Sequence, residues 1–184
     1  MPFLERCVDA YSRVMSVVSR LFAALAALVL VAMVVPILVE IALRAFYGTS
    51  SGVLDEFVGY GVATSSFCGL AYALEREALI RVTLLGRFAD RHPAAARLLE
   101  GFAILVTLAA FALVIRYFLL SVGRHWDRGT VSETIAEVPM WIPEGAMTLG
   151  ITVFWLALLG RLLRLLAGGP PRFGAASGSF AAEG

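Results

Sequence analysis

The candidates for chemistry in this sequence are the adjacent carboxylates Asp55 and Glu56, the carboxylate Glu40 inside an apolar run, and the histidines His92 and His125. Adjacent residues on a helix point in different directions, which argues against a general acid–base pair at Asp55 and Glu56. A haem held between membrane helices needs histidine nitrogens inside those helices. Both histidines lie in connections, on opposite sides of the apolar runs, so a haem-binding redox anchor is disfavoured.

Other reaction chemistries lack the residues they need. None of the 15 basic residues is a lysine, which excludes a lysine nucleophile or Schiff base. The sequence has no His-x-x-x-His pair, no Gly-x-Ser-x-Gly elbow and no phosphate-binding glycine loop. Cys7 precedes the first apolar run and Cys68 lies within the second, so no disulfide is expected. We therefore expect no enzymatic activity, no metal or other cofactor, and no nucleic-acid partner.

The elements that position these residues are long apolar runs. Hydrophobic residues make up 60% of the 184 residues, and the mean hydropathy is +0.85. The uncharged run 57–74 would be about 27 Å long as a helix, close to the hydrocarbon thickness of a bilayer. The predicted fold is an all-α integral membrane protein with four transmembrane helices. The predicted segments are a cytoplasmic or interfacial N-terminal segment (1–20), spans at about 21–43, 55–74, 98–122 and 138–160, a connector (75–97) and a disordered cytoplasmic tail (167–184).

The connector and the helix ends carry the features of a membrane surface. Polar and apolar residues of the connector fall mostly on opposite sides of a helical wheel, which predicts an amphipathic helix lying in the interface, on lipid or on protein. Arg81 and Arg87 in the connector, and Trp141 at the start of the fourth span, are predicted to be interfacial. Eleven of the 15 arginines fall on the side of both termini, so both termini are predicted to be cytoplasmic.

Two features of the first two spans allow more than one interpretation. Glu40 and Arg44 are four residues apart in the favourable order for a structural ion pair. A carboxylate within a span is also a functional candidate, so the alternative is an independent homo-oligomeric ion-coupled transporter or channel that uses Glu40. In the second span, small residues recur every four positions and predict close helix packing, either with a partner or within this chain. These residues are Gly61, Ser65, Gly69 and Ala73.

The order of these features resembles the small membrane subunit (DctQ type) of tripartite ATP-independent periplasmic (TRAP) transporters, over residues 14 to 166. The matching features are Arg44 with Phe46 at the end of span one, Asp55-Glu56 at the start of span two, Gly69 within it, the connector residues 79–83, and Pro139-Met140-Trp141-Ile142-Pro143 with Gly150 in span four. Leu79 and Thr83 stand where the family commonly has histidine and aspartate.

The resemblance implies a small permease subunit of the bacterial inner membrane, without a substrate site of its own. It would scaffold a large multi-span subunit and work with a periplasmic substrate-binding protein in sodium-coupled uptake of organic acids, usually carboxylates. We expect the small-residue stripe or a neighbouring span to contact the large subunit, and outer loops 45–55 and 123–138 to dock the binding protein. The candidate interface residues are Gly61, Ser65, Gly69, Ala73, Asp55, Glu56, Asp127, Arg128 and Glu133, with Glu137 as a further outer charge.

Overall fold

Four long helices make up the protein. The computed structural model describes residues 2–50, 52–76 and 93–167, and no strand occurs among them. The helices are α1 (Pro2–Tyr47), α2 (Leu54–Glu75), α3 (Pro93–Arg128) and α4 (Trp141–Leu166). Each is long and apolar enough to cross a membrane, which confirms the predicted all-α membrane fold with four spans. Residues 77–92 of the predicted amphipathic connector, with Arg81 and Arg87, lie outside the described residues, whereas its residues 93–97 form the start of α3. The predicted disordered tail lies outside the described residues from 168 onwards.

Helix α1 is much longer than a single span needs. Its 46 residues correspond to about 69 Å, compared with about 30 Å for the hydrocarbon core of a bilayer. The helix continues through Pro36, and no break separates the predicted N-terminal segment from the predicted first span. The helix ends at a tight loop in which Gly48 and Gly52 adopt φ of +62° and +71°, a backbone region that glycine enters at little cost.

Helix α4 is the central element, because among the described helices it alone packs against the other three. Its apolar side chains carry the core, and Ile151 is completely buried. Two glycines let its neighbours come close. A Cβ at Gly150 would lie 2.8 Å from the backbone nitrogen of Cys68 in α2, and one at Gly160 would lie 2.5 Å from the ring of Tyr11 in α1. The core consists of Met15, Ala71, Leu74, Ile104, Leu108, Val153, Phe154, Ala157 and Leu158.

Polar contacts join the helices at the end of the bundle where α1 and α3 begin and α2 and α4 end. We call this the inner end, and the opposite end the outer end. The buried Ser19 hydroxyl of α1 donates to the carboxylate of Glu75 in α2 at 2.7 Å. Arg161 of α4 donates from Nη2 to Oε1 of the buried Glu100 in α3, also at 2.7 Å. The first contact joins α1 to α2, and the second joins α3 to α4.

Candidate partner-binding surfaces

The loop between α3 and α4 is held against the start of α2 by one carboxylate. Tyr60 Oη donates to Glu56 Oε1 at 2.7 Å, and the hydroxyl of Thr134, in the loop, donates to Oε2. The loop is also closed on itself, since the amide of Ser132 donates to the carbonyl of Val138 at 2.9 Å. Glu56, predicted from the sequence as an interface residue, therefore lies in contacts within the chain.

A second group of polar side chains joins the end of α3 to the start of α4. His125 Nε2 lies 3.3 Å from Glu144 Oε1, and the Ser121 hydroxyl donates to the same oxygen at 3.3 Å. Nδ1 of His125 contacts the hydroxyl of Thr130. These contacts engage one oxygen of Glu144, shortly after the start of an apolar helix. The other oxygen, Oε2, is buried and accepts no hydrogen bond from the residues that the structure describes.

Aromatic packing adds to the same junction. Trp126 at the end of α3 meets Trp141 at the start of α4, with ring centroids 4.8 Å apart and ring planes at 75°. Such an edge-to-face pair contributes to packing beyond the area it buries. Trp141, predicted to be interfacial, therefore also positions the loop.

The tip of the α3–α4 loop projects from the outer end. Glu133 and Glu137 are exposed there, on either side of Ile135, whose side chain is 87% exposed. Asp127 and Arg128 are exposed nearby, at the end of α3. The sequence prediction included the charges but missed Ile135, and the available signal was a single large apolar residue inside a polar loop. An exposed apolar side chain with a glutamate two positions before it and another two positions after it suits a protein partner better than lipid.

The small-residue stripe of α2 does not form one surface. Gly61 faces α1, where a Cβ would lie 2.1 Å from Met33 Sδ. Ser65 is buried and donates its hydroxyl to the carbonyl of Gly61 at 2.7 Å. Gly69 is open, since a Cβ there would meet nothing within 4 Å, and Ala73 is half-buried. Of the two glycines, only Gly69 leaves room for a residue from outside the chain.

Glu40 lies at the outer end of α1 and is 4% exposed. Arg44 Nε donates to its Oε1 at 3.0 Å, and the hydroxyl of Ser50 donates to the same oxygen. Arg44 itself is largely exposed. The carboxylate thus joins the last turn of α1 to the loop that follows it.

The outward sides of α1 and α3 are apolar. Contiguous apolar surface of this extent suits lipid or the helices of another protein. Arg116 is exposed on α3 among these side chains. The exposed apolar residues include Leu21, Leu25, Leu28, Val31, Val35 and Leu38 on α1, and Leu98, Phe102, Leu105, Leu113, Tyr117 and Leu120 on α3.

Comparison with known proteins gives one match. The family described as "Tripartite ATP-independent periplasmic transporters, DctQ component" matches residues 33–168. No curated protein and no solved structure matches the chain. The matched range begins within α1 and contains all of α2, α3 and α4, so it includes the outer-end contacts of Glu40 and Glu56.

Proposed function

Because this chain belongs to the DctQ component family of tripartite ATP-independent periplasmic transporters, we propose that it holds the large multi-span subunit of such a transporter in position. Family membership makes it a small subunit of a TRAP transporter and a multi-pass protein of the inner membrane. The family is one of transporter components, not of enzymes. The further proposals are that both termini are cytoplasmic, and that the complex takes up organic acids, carboxylates first among them, with sodium coupling and a periplasmic substrate-binding protein.

The observation that carries the scaffold proposal is the distribution of polar and apolar contacts. Polar contacts join the helices in pairs at the inner end, through Ser19 and Arg161, and hold the α3–α4 loop against α2 at the outer end, through Glu56. Between the two ends, α1 and α3 turn large apolar side chains outward. A bundle fixed at both ends with apolar sides offers a rigid surface to a larger membrane protein, which is the property a scaffold needs.

The part of α2 around Gly69 is the proposed contact with the large subunit. A small residue on an open helix face allows close approach of a partner helix, and Gly69 has that space. Gly69→Leu should lower the amount of large subunit recovered with the tagged chain. Gly123→Leu is the matched control, because Gly123 lies in α3 and a Cβ there also meets nothing within 4 Å. Full recovery of the large subunit with Gly69→Leu, at unchanged melting temperature, would show that the interface does not include Gly69.

The loop tip around Ile135 is the proposed contact with the substrate-binding protein. Glu133→Arg and Ile135→Ser should slow binding-protein-dependent uptake while the two membrane subunits still co-purify. Asp127→Arg tests the neighbouring end of α3. Asp55→Arg provides a comparison, because Asp55 is exposed at the outer end but on α2. If Glu133→Arg, Ile135→Ser and Asp127→Arg all leave the uptake rate unchanged, this end of α3 and the loop do not dock the binding protein.

The alternative function is independent transport by this chain, with Glu40 as the ion-binding group. The contacts of Glu40 with Arg44 and Ser50 favour a structural role. Purified chain in liposomes tests the alternative directly. Uptake without the other subunits, abolished by Glu40→Gln, would replace the scaffold proposal. Uptake that requires the large subunit would support the scaffold proposal.

A further inference from the structure

A groove lined by arginines runs along the inner end, between the first turns of α1 and the last turns of α4. It consists of two adjoining cavities of about 580 Å³ and about 390 Å³. Both are lined by Asp9, Ser12, Ser16 and Arg164, which makes them one continuous groove. The outer-end contacts lie away from it, whereas the inner-end ion pair of Arg161 with Glu100 lies in the wall of its larger cavity.

Three arginines converge on the smaller cavity. Arg13 and Arg20 are seven residues apart on α1, about 10 Å along one side of the helix, and Arg164 reaches the cavity from α4. Within residues 2–50, 52–76 and 93–167, no carboxylate lies within ion-pair distance of any of the three. Clustered arginines repel one another unless an anion lies between them. The cavity therefore has the charge of an anion-binding site.

The carboxylates of the groove do not cancel this charge equally. Glu100 is bound by Arg161, and Glu75 accepts the hydroxyl of Ser19 at 2.7 Å. Asp9 is exposed at the rim of both cavities. Glu75 and Glu100 are therefore engaged within the protein. Among the described residues, Asp9 is the one carboxylate beside the three arginines of the smaller cavity, so that cavity keeps an excess of positive charge.

The larger cavity continues from the arginines to an apolar floor. Met15 and Leu74, both buried, and Leu165 line it alongside its polar residues. A ligand that fills both parts must carry an anionic group at one end and a hydrocarbon chain at the other. Arginine binds phosphate oxygens in a bidentate manner, and basic pockets between membrane helices bind the head groups of anionic lipids.

We propose that this groove binds an anionic phospholipid, with the phosphate between Arg13, Arg20 and Arg164 and an acyl chain against Met15, Leu74 and Leu165. The positive-inside prediction puts the groove in the cytoplasmic leaflet. The bound lipid bridges α1 and α4 at the inner end. The inference does not depend on the scaffold role.

The test measures the melting temperature of the purified full chain, with whatever subunit co-purifies, in a mild detergent. Phosphatidylglycerol, phosphatidylcholine with the same acyl chains, and inorganic phosphate are added separately. At ten times its dissociation constant, phosphatidylglycerol should raise the melting temperature by about 4 °C. Phosphatidylcholine and inorganic phosphate should each give less than half of that shift. Equal shifts with the two lipids, no shift with phosphatidylglycerol, or an equal shift with inorganic phosphate would each overturn the proposal.

Substitutions locate the site. Replacing Arg13, Arg20 and Arg164 together by glutamine should abolish the difference between the two lipids. The control replaces Arg124 and Arg128, exposed at the outer end, by glutamine and should keep the difference. If the triple variant does not fold, native mass spectrometry of single variants measures how much phosphatidylglycerol each one retains. Arg164→Lys should retain more phosphatidylglycerol than Arg164→Gln, and equal retention would contradict the proposed phosphate contact.

Discussion

Replacing Gly150 by alanine tests the packing of α4 on α2. The new Cβ would lie 2.8 Å from both the nitrogen of Cys68 and the carbonyl carbon of Phe67, and 3.1 Å from the carbonyl oxygen of Phe67. All three atoms belong to helix backbone, so no side chain can rotate away. The two helices must move apart, and separation loosens the core around Ile151 and Phe154.

The effect of Gly150→Ala on the free energy of unfolding is the sum of two opposing effects. Overpacking a well-packed core costs about 1–3 kcal/mol, while alanine is favoured over glycine inside a helix by about 1 kcal/mol. Gly69→Ala is the matched control, because Gly69 is a glycine inside α2 with open space around it. Both variants gain the same helix propensity, so this gain cancels when their free energies of unfolding are subtracted. The difference should be about 2 kcal/mol, or about 4–8 °C in melting temperature for a chain of this size.

The assay is thermal unfolding of the purified chain in one detergent, followed by intrinsic tryptophan fluorescence or by aggregation. Gly150→Ala should melt well below Gly69→Ala, and Gly69→Ala should melt at or above wild type. Equal melting temperatures for the two alanine variants would refute the reasoning, because they would show that α2 and α4 do not approach as closely as the Gly150 geometry requires.

Three further predictions concern single polar contacts. Glu100→Gln leaves Arg161 mostly buried without its carboxylate and should cost about 3–5 kcal/mol; a melting temperature within 2 °C of wild type, about the shift from 1 kcal/mol or less, would contradict this. Glu56→Gln replaces the charged acceptor of the Thr134 hydroxyl by a neutral one, so it should lower the free energy of local opening of the loop by about 1–2 kcal/mol. Amide hydrogen exchange at 130–138 should then be faster. Unchanged exchange, with slower binding-protein-dependent uptake, would instead assign Glu56 to an external contact. Arg116→Leu removes a charge from the apolar side of α3, so it should leave stability unchanged or improved and recovery of the large subunit unchanged; loss of that subunit would place the interface on α3.

Hydropathy determined the fold class by itself. A segment in hydrocarbon has to satisfy its own backbone hydrogen bonds, so each long apolar run has to be a helix wherever it packs. The order of short features at the ends of these runs, such as Asp55-Glu56 and the Pro139 to Pro143 segment, was enough to identify the family, because those features sit at fixed places relative to the spans.

Spacing within one helix was enough to predict the pair of Glu40 with Arg44, whereas tertiary structure decided what the small residues of α2 and the other polar residues contact. Positions four apart on a helix drift by about 40° per step, so Gly61 and Gly69 point about 80° apart; the first meets Met33 and the second meets open space. Glu56 and Thr134 are 78 residues apart in the chain, and Glu100 and Arg161 are 61 apart. Sequence spacing determines which residues share a helix face, whereas only the packing of the helices determines what that face meets.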